Sequence, residues 1–238
     1  MLWATGCSHT FGDDLEDKSQ AWPYQLAKLL NLDCKNNAMS GSSNERVVYQ
    51  TLKANRSDLF VISWTYIQRF TRYKSDNNFE INFNPHGIHR DLSNKYYYKE
   101  YTKLHYKHWY NELYSFKIWL QQIVLLQSFL EKNNQLYCMV NGTHNNLNRW
   151  ICKKENFFKN VKELINFDLM NDDQIFDAWN EIQKYHSLIN KETFFDIENY
   201  YLTQYCSTYP VGPTGHLLED GHKKIAEDLY KKCSKLIH

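Results

Sequence analysis

Short apolar runs alternating with longer stretches of helical period leave this chain few architectures. The runs are Leu2–Thr5, Cys34–Ala38, Leu59–Ser63 and Leu136–Asn141, with Thr193–Asp196 as a fifth. Helical spacing predicts helices at about Gln20–Leu30, Ser43–Ala54, Glu112–Lys132, Asp172–Leu188 and Glu219–Leu236. Strands alternating with helices of this length are the pattern of an α/β layer fold with a mainly parallel sheet.

The clearest helix is Glu112–Lys132, where Leu113, Phe116, Leu120, Ile123, Gln127 and Leu130 fall on one side with only Gln127 polar. Such a stripe is expected to cover a sheet face. Ser42-Ser43-Asn44-Glu45 fits a capping box, in which a Ser hydroxyl and a Glu carboxylate three positions on satisfy free amides at a helix start. In the last helix Ile225, Ala226, Leu229, Tyr230, Cys233 and Leu236 form the expected core-facing stripe. Some seventy residues separate the third and fourth strands, more than one crossover needs, so about 72–110 is expected to be an insertion. Within it, positions 96–110 read YYYKEYTKLHYKHWY, with Tyr and Trp in seven of fifteen places beside Lys95, Lys99, Lys103 and Lys107. No repeat or linker marks a second domain, and 238 residues are expected to form one.

With 42% apolar residues the chain is not disordered, and 28 Lys+Arg against 27 Asp+Glu argues against a general polyanion binder. Nucleic acid is therefore not the expected partner. No apolar run approaches the roughly 18 residues of a membrane-spanning helix, so no membrane partner is expected either. The opening MLWATGCS lacks the basic start and long apolar segment of a cleaved leader, which makes the cytoplasm the expected location. Six scattered cysteines without a C-x-x-C pair are expected to be reduced thiols. The Asn- and Lys-rich composition suggests an AT-rich bacterial or phage genome, and a phage origin would allow association with the virion.

The chemistry is expected where the first strand ends, at TGCSHTFGDDL. Carboxyl ends of parallel strands form the ligand crevice of open α/β sheets, so Ser8 stands where a nucleophile is useful. A Ser hydroxyl needs a base to take its proton and donors to hold the resulting oxyanion. Near the other end, PTGHLLEDGHKKIAEDL puts His216 in a loop and His222 at the opening of the final helix. GCSHTFG, then NNAMSGSSN after the second strand, then H-x-x-x-x-G-H-x-x-I-A resemble the first, second and fifth blocks of the SGNH (GDSL-type) hydrolases, in family order over nearly the whole chain.

That resemblance implies a three-layer α/β/α flavodoxin-like sandwich and a serine esterase needing no cofactor and no metal. Carried over, Ser8 is the nucleophile and His216 the general base, with the backbone amides of Ser8 and Gly41 in the oxyanion hole. Gly fits at 41 because a side chain there would obstruct the substrate. Two positions depart from the family. The acid usually found three residues before the catalytic His is Pro213 here, so the imidazole is oriented by a backbone carbonyl or a distant carboxylate, or works in a Ser-His dyad. In the third block the usual Gly-x-Asn-Asp is replaced by Trp64, Thr65 and Tyr66, with Arg69 nearby. Thr65 takes the place of the oxyanion Asn, and Asn44 is a competing donor.

His9, Trp64 and Arg69 are the candidate substrate-binding residues, although neighbours along an extended segment point apart and His9 need not face the way Ser8 does. Asp220 reads as a carboxylate favoured by a helix start, and His222 as a substitute base within a first turn. The pairs His86/His89 and His105/His108 have H-x-x-H spacing but no identifiable third metal ligand. The expected function is hydrolysis of an ester, an O-acyl group on a carbohydrate or related polar compound, on the strength of the aromatic insertion and family analogy. The alternative is a noncatalytic SGNH-like module whose insertion binds a glycan or, by stacking and phosphate attraction, a nucleic acid. Oligomeric state is not legible.

Overall fold

The computed structural model describes residues 1–54, 56–74, 79–84, 87–88, 96–145, 147–163 and 170–237. Its central sheet is wholly parallel and runs β2-β1-β3-β7, built from β1 (Leu2–Thr5), β2 (Cys34–Asn36), β3 (Leu59–Trp64) and β7 (Tyr137–Asn141). Leu2 is in register with Cys34 on one side and Leu59 on the other, and Phe60 with Tyr137. The expected fifth strand shrinks to one parallel bridge, Met139 to Phe194, held by the Phe195 amide on the Met139 carbonyl at 2.7 Å. Its place beside β7 still completes the flavodoxin order.

Alternation along these strands divides the core in two. Leu2, Ala4, Leu59, Val61, Cys138 and Val140 pack beneath α2 (Trp22–Leu29) and α9 (Glu219–Ile237). Trp3, Phe60, Ile62, Trp64 and Met139 face the opposite layer, which contains α3 (Asn44–Lys53), α5 (Glu112–Lys132) and α8 (Asp172–Ser187). Successive strand residues point to opposite faces, so one short run feeds both cores and the result is a three-layer α/β/α sandwich. The stripe on α5 is buried as its spacing predicts, and Gln127 is satisfied: its amide donates to the Leu188 carbonyl at 2.7 Å and accepts from the Asn190 amide at 3.0 Å. On α9 the stripe holds except at Tyr230, which is exposed.

Three local expectations change. The cap of α3 is Ser43, whose hydroxyl accepts from the Arg46 amide, while the Ser42 hydroxyl donates to the Met39 carbonyl; Glu45 therefore closes no capping box. The short helix α1 (Ser8–Phe11) forms where an extended segment was expected, beginning at Ser8 itself. Trp64 is fully buried in the α5-side core, because it continues the Phe60, Ile62 alternation of β3, so it is not a substrate-binding residue.

Between β3 and α5 the chain forms an antiparallel β4 (Phe70–Lys74), β5 (Phe79–Asn84) and β6 (Gly87–Ile88), then α4 (Tyr96–Leu104) and a π-helical turn at His105–Trp109. Phe70 stacks on Phe83 at 4.6 Å with Tyr101 edge-on to both, a small apolar cluster of the insertion's own. The Tyr106 hydroxyl ties this unit back to the Gln68 carbonyl at 2.7 Å. His86, His89 and Lys95 lie outside the described residues. Two further short helices, α6 (Leu147–Trp150) and α7 (Lys154–Lys162), follow β7.

Because Trp64 is a fully enclosed core side chain, Trp64→Ala is expected to cost about 3–5 kcal/mol of unfolding free energy. A urea midpoint left at the wild-type value would remove the indole from the core.

Candidate active site

One carboxylate joins the turn after β1 to the loop before α9, two hundred residues later. Asp14 Oδ2 accepts the Thr214 amide at 2.9 Å and the His216 amide at 3.2 Å, and Oδ1 accepts the Thr214 hydroxyl at 2.8 Å. Asp14 takes a left-handed backbone conformation, φ 69°, which Asp tolerates better than most residues. Gly212 makes the approach possible: a Cβ there would stand 2.4 Å from Asp14 Cβ and 2.8 Å from Oδ2. Burial alone raises the Asp14 pKa, but the Thr214 hydroxyl and the two amides outweigh it and hold the carboxyl below its usual value.

This network sets the protonation of His216. The Thr214 hydroxyl spends its only hydrogen on ionised Asp14, so at 2.8 Å it can only accept from His216 Nδ1. The imidazole is therefore the Nδ1–H tautomer, and Nε2 keeps a lone pair with no hydrogen-bond partner among the described residues. Asp14 Oδ2 also lies 3.7 Å from Nδ1. Burial lowers the His216 pKa, the negative charges of Asp13 and Asp14 raise it, and Arg69 lowers it again, leaving it below 6.5. The ring is a neutral base at neutral pH.

His216 is brought against the residue next to Ser8. Its ring lies 4.5 Å from that of His9, tilted by 43°. Ser8 is nearly buried at the start of α1, and its hydroxyl makes no hydrogen bond among the described residues; a Ser8–His216 bond is thus not formed in this state. Behind His216 lies His222, fully buried, whose Nδ1 accepts the Trp22 amide at 3.2 Å and whose Nε2 is unpartnered. Burial, then the charge that His216 would carry, pushes His222 down to about 4. Burial followed by His216, Arg69 and His222 pushes His9 down to about 3.

The loop after β2 is stitched to the same turn by Asn36 Nδ2 on the Thr10 carbonyl (2.9 Å), Ser40 Oγ on Asp13 (2.6 Å) and the Met39 amide on the Gly6 carbonyl (3.2 Å). Gly41, at φ 76°, occupies the left-handed region that favours glycine, and its amide, like that of Ser8, donates to no acceptor among the described residues. Asn44 is already engaged: its side chain accepts the Thr65 amide at 2.8 Å and donates to the Thr65 carbonyl at 3.1 Å. The buried Thr65 hydroxyl accepts from Arg69 at 2.9 Å and keeps its own hydrogen to donate. Arg69 also reaches the Ser42 carbonyl at 3.4 Å and lies over the Tyr66 ring. Its charge depresses both His9 and His216, so the guanidinium is electrostatically part of this site.

Sequence reasoning missed Asp14, Thr214 and Asn145, which donates to the Thr65 carbonyl at 3.2 Å. The doubled acid in GDDL was the available signal for Asp14, but its partner is two hundred residues away. Asp220 is exposed on α9, as a helix-start carboxylate should be. His105 packs on Phe70 at 4.2 Å, and among the described residues no three His, Cys, Asp or Glu side chains are grouped to hold a metal ion. All six cysteines are free, and among the described residues no helix is long and apolar enough to cross a membrane.

The model of a family of unknown function, DUF6071, matches residues 10–151, more than half of the chain. No curated protein sequence matches it. Among solved structures, TesA is similar with a TM-score of 0.50 at 11% identity, over 99% of this chain and 98% of its own. A lipolytic protein of the G-D-S-L family from Veillonella parvula DSM 2008 is similar at 0.47 and 12%, over 99% and 98%. The psychrotrophic esterase EstA from Pseudoalteromonas sp. is similar at 0.47 and 9%, over 98% and 96%.

His9 and His222 resist protonation while folded but would accept it at 6.5 when unfolded, so the unfolded state binds more protons as pH falls. Stability is expected to drop from pH 6.5 towards 4 by about 1.4 kcal/mol per pH unit for each ring that stays neutral. Urea titrations across that range should show the fall, and a smaller one in His222→Gln. A flat profile would mean that both rings protonate without unfolding.

Proposed function

We propose that this chain, which belongs to the DUF6071 family and has the fold of the SGNH hydrolases, is a serine hydrolase that cleaves a carboxylic ester. The observation that carries the reading is the Asp14–Thr214–His216 relay, which leaves Nε2 of His216 as a free base beside the turn that holds Ser8. It answers the departure at Pro213: the orienting acid comes from the N-terminal turn and acts through a threonine hydroxyl.

In this mechanism Ser8 Oγ attacks the ester carbonyl while His216 Nε2 takes its proton. The negative charge passes to the carbonyl oxygen, held by the amides of Ser8 and Gly41. Further stabilisation comes from the Thr65 hydroxyl, which Arg69 polarises, or from the second N–H of Asn44, whose oxygen and first N–H are held by the Thr65 backbone. The imidazolium protonates the departing alcohol oxygen as the C–O bond breaks and the acyl group stays on Ser8. Water, deprotonated by the same nitrogen, then attacks the acyl carbon and releases the acid. The mechanism requires a Ser8–His216 hydrogen bond, and such bonds commonly tighten only when substrate binds. The acyl acceptor we propose is a carbohydrate or another polar, hydroxyl-rich compound.

A noncatalytic binding role is the second reading, favoured by the unbonded, nearly buried Ser8 hydroxyl. A fluorophosphonate probe separates the two. Labelling of wild type but not of Ser8→Ala supports the hydrolase, and so does hydrolysis of p-nitrophenyl acetate reduced about a thousandfold or more by that substitution. No labelling at any concentration supports the binder.

If His216 is the base, kcat/KM should rise with pH through a value below 6.5 and level off above it. Asp14→Asn removes a charge that raises the His216 pKa, so the rising limb should move to lower pH while the plateau falls about ten- to a hundredfold. A limb that moves to higher pH would break the link between this carboxylate and the base.

A further inference from the structure

A cavity of about 220 Å³ lies between the insertion, the first turns of α5 and the start of α3. Arg69 lines this cavity and also bonds the Thr65 hydroxyl of the candidate active site. At that size it suits one ring better than the extended ligands of larger pockets.

Its wall is aromatic, and two of its polar side chains, Glu45 and Tyr110, have unsatisfied atoms. Trp109 is 65% exposed at the rim, touched edge-on by His105 at 6.5 Å, and Tyr114 beside it is 59% exposed. Glu45 Oε2 is buried without a hydrogen bond. The Tyr110 hydroxyl, with Ser115 as its neighbour, is buried without one of proper geometry. Buried polar atoms of this kind cost stability unless something small and polar fills the space. Water would satisfy them but would not account for a large indole left in solvent. The turn that presents Trp109 is π-helical, closed by the Tyr110 amide on the His105 carbonyl at 2.8 Å, a rare geometry found often at functional sites.

An apolar face next to hydroxyls is the chemistry of a sugar ring. We infer that this cavity is the acceptor subsite: it holds one monosaccharide unit of the ester substrate, with Trp109 over a CH face, Glu45 accepting from ring hydroxyls and the Tyr110 hydroxyl completing the bonding. Arg69 links this subsite to the centre where the acyl group is attacked. The inference rests on the ester-hydrolase reading for its biological meaning, but its binding claim stands separately.

Two measurements on the full chain test it. Hydrolysis is compared for p-nitrophenyl acetate and for mono-O-acetylated glucose, xylose and N-acetylglucosamine. Trp109→Ala and Glu45→Gln should each lower the ratio of sugar-ester to p-nitrophenyl acetate kcat/KM about tenfold, through KM, for at least one sugar. An unchanged ratio for every sugar overturns the subsite. In parallel, glucose, xylose and N-acetylglucosamine are titrated into Ser8→Ala while tryptophan fluorescence is followed. A saturable change that disappears in Ser8→Ala/Trp109→Ala supports the subsite even if no ester is cleaved, and in that case only the hydrolase reading falls. Ester cleavage with no saturable change for any of the three sugars overturns the subsite and leaves the hydrolase reading intact.

Discussion

The carboxylate of Asp14 is the interaction on which the candidate site depends. It binds two backbone amides and one hydroxyl from a loop two hundred residues away, and each bond constrains a different degree of freedom. The amide bonds fix where the loop lies, and the hydroxyl bond fixes which nitrogen of His216 carries a proton. Charge-assisted hydrogen bonds are stronger than neutral ones, and three on one side chain leave it little freedom to turn. Gly212 is part of the same device because any larger residue would fill the space Asp14 needs. Asp14 reaches His216 through Thr214, from a position far along the chain from 213, where the SGNH resemblance placed an acid.

Around that carboxylate, electrostatics favour neutral imidazoles. Three histidines, His9, His216 and His222, lie in sequence through the site with Arg69 close to the first two. His216 suppresses protonation of His9 and His222, His222 adds to the effect on His9, and burial lowers all three. His216 alone has two aspartates nearby to offset this, while His9 and His222 are driven far below their ordinary value. The Nδ1 lone pair of His222 is spent on the Trp22 amide, and the ring is buried within the electrostatic reach of His216. Nε2 of His216, by contrast, has no hydrogen-bond partner among the described residues.

What the sequence made legible follows the range of the interactions involved. Strand and helix positions rest on local periodicity, and they emerge within a few residues, including the polar Gln127 on an otherwise apolar stripe. The fifth strand at Phe194 was over-read because apolar character shows burial but not how many ladder bonds the neighbour offers. Trp64 was misassigned for a related reason: proximity to a motif along the chain was allowed to outweigh the two-residue period of β3, which turns its side chain into the core. His9 lies against His216 because Ser8 and His9 begin a helix rather than continue the strand. Asp14 was invisible as a partner of Thr214, since a contact across two hundred residues leaves no local pattern.

The division of labour between the sheet and the insertion follows from their physics. Reacting groups held on the ends of strands gain precision from a rigid core, but those ends offer little surface on which to distinguish one substrate from another. The insertion after β3 packs on its own apolar cluster of Phe70, Phe83 and Tyr101, so aromatic side chains at its rim can vary without unpacking β1 or β3. Arg69 stands at the junction, its backbone between β3 and β4, its guanidinium on Thr65 and its flank in the cavity. A group bound in the cavity would therefore be felt at the hydroxyl and imidazole of the proposed chemistry through a charge that already influences both. Such an arrangement lets binding energy from a remote part of a substrate be used at the reacting centre, where it raises the rate rather than only the affinity.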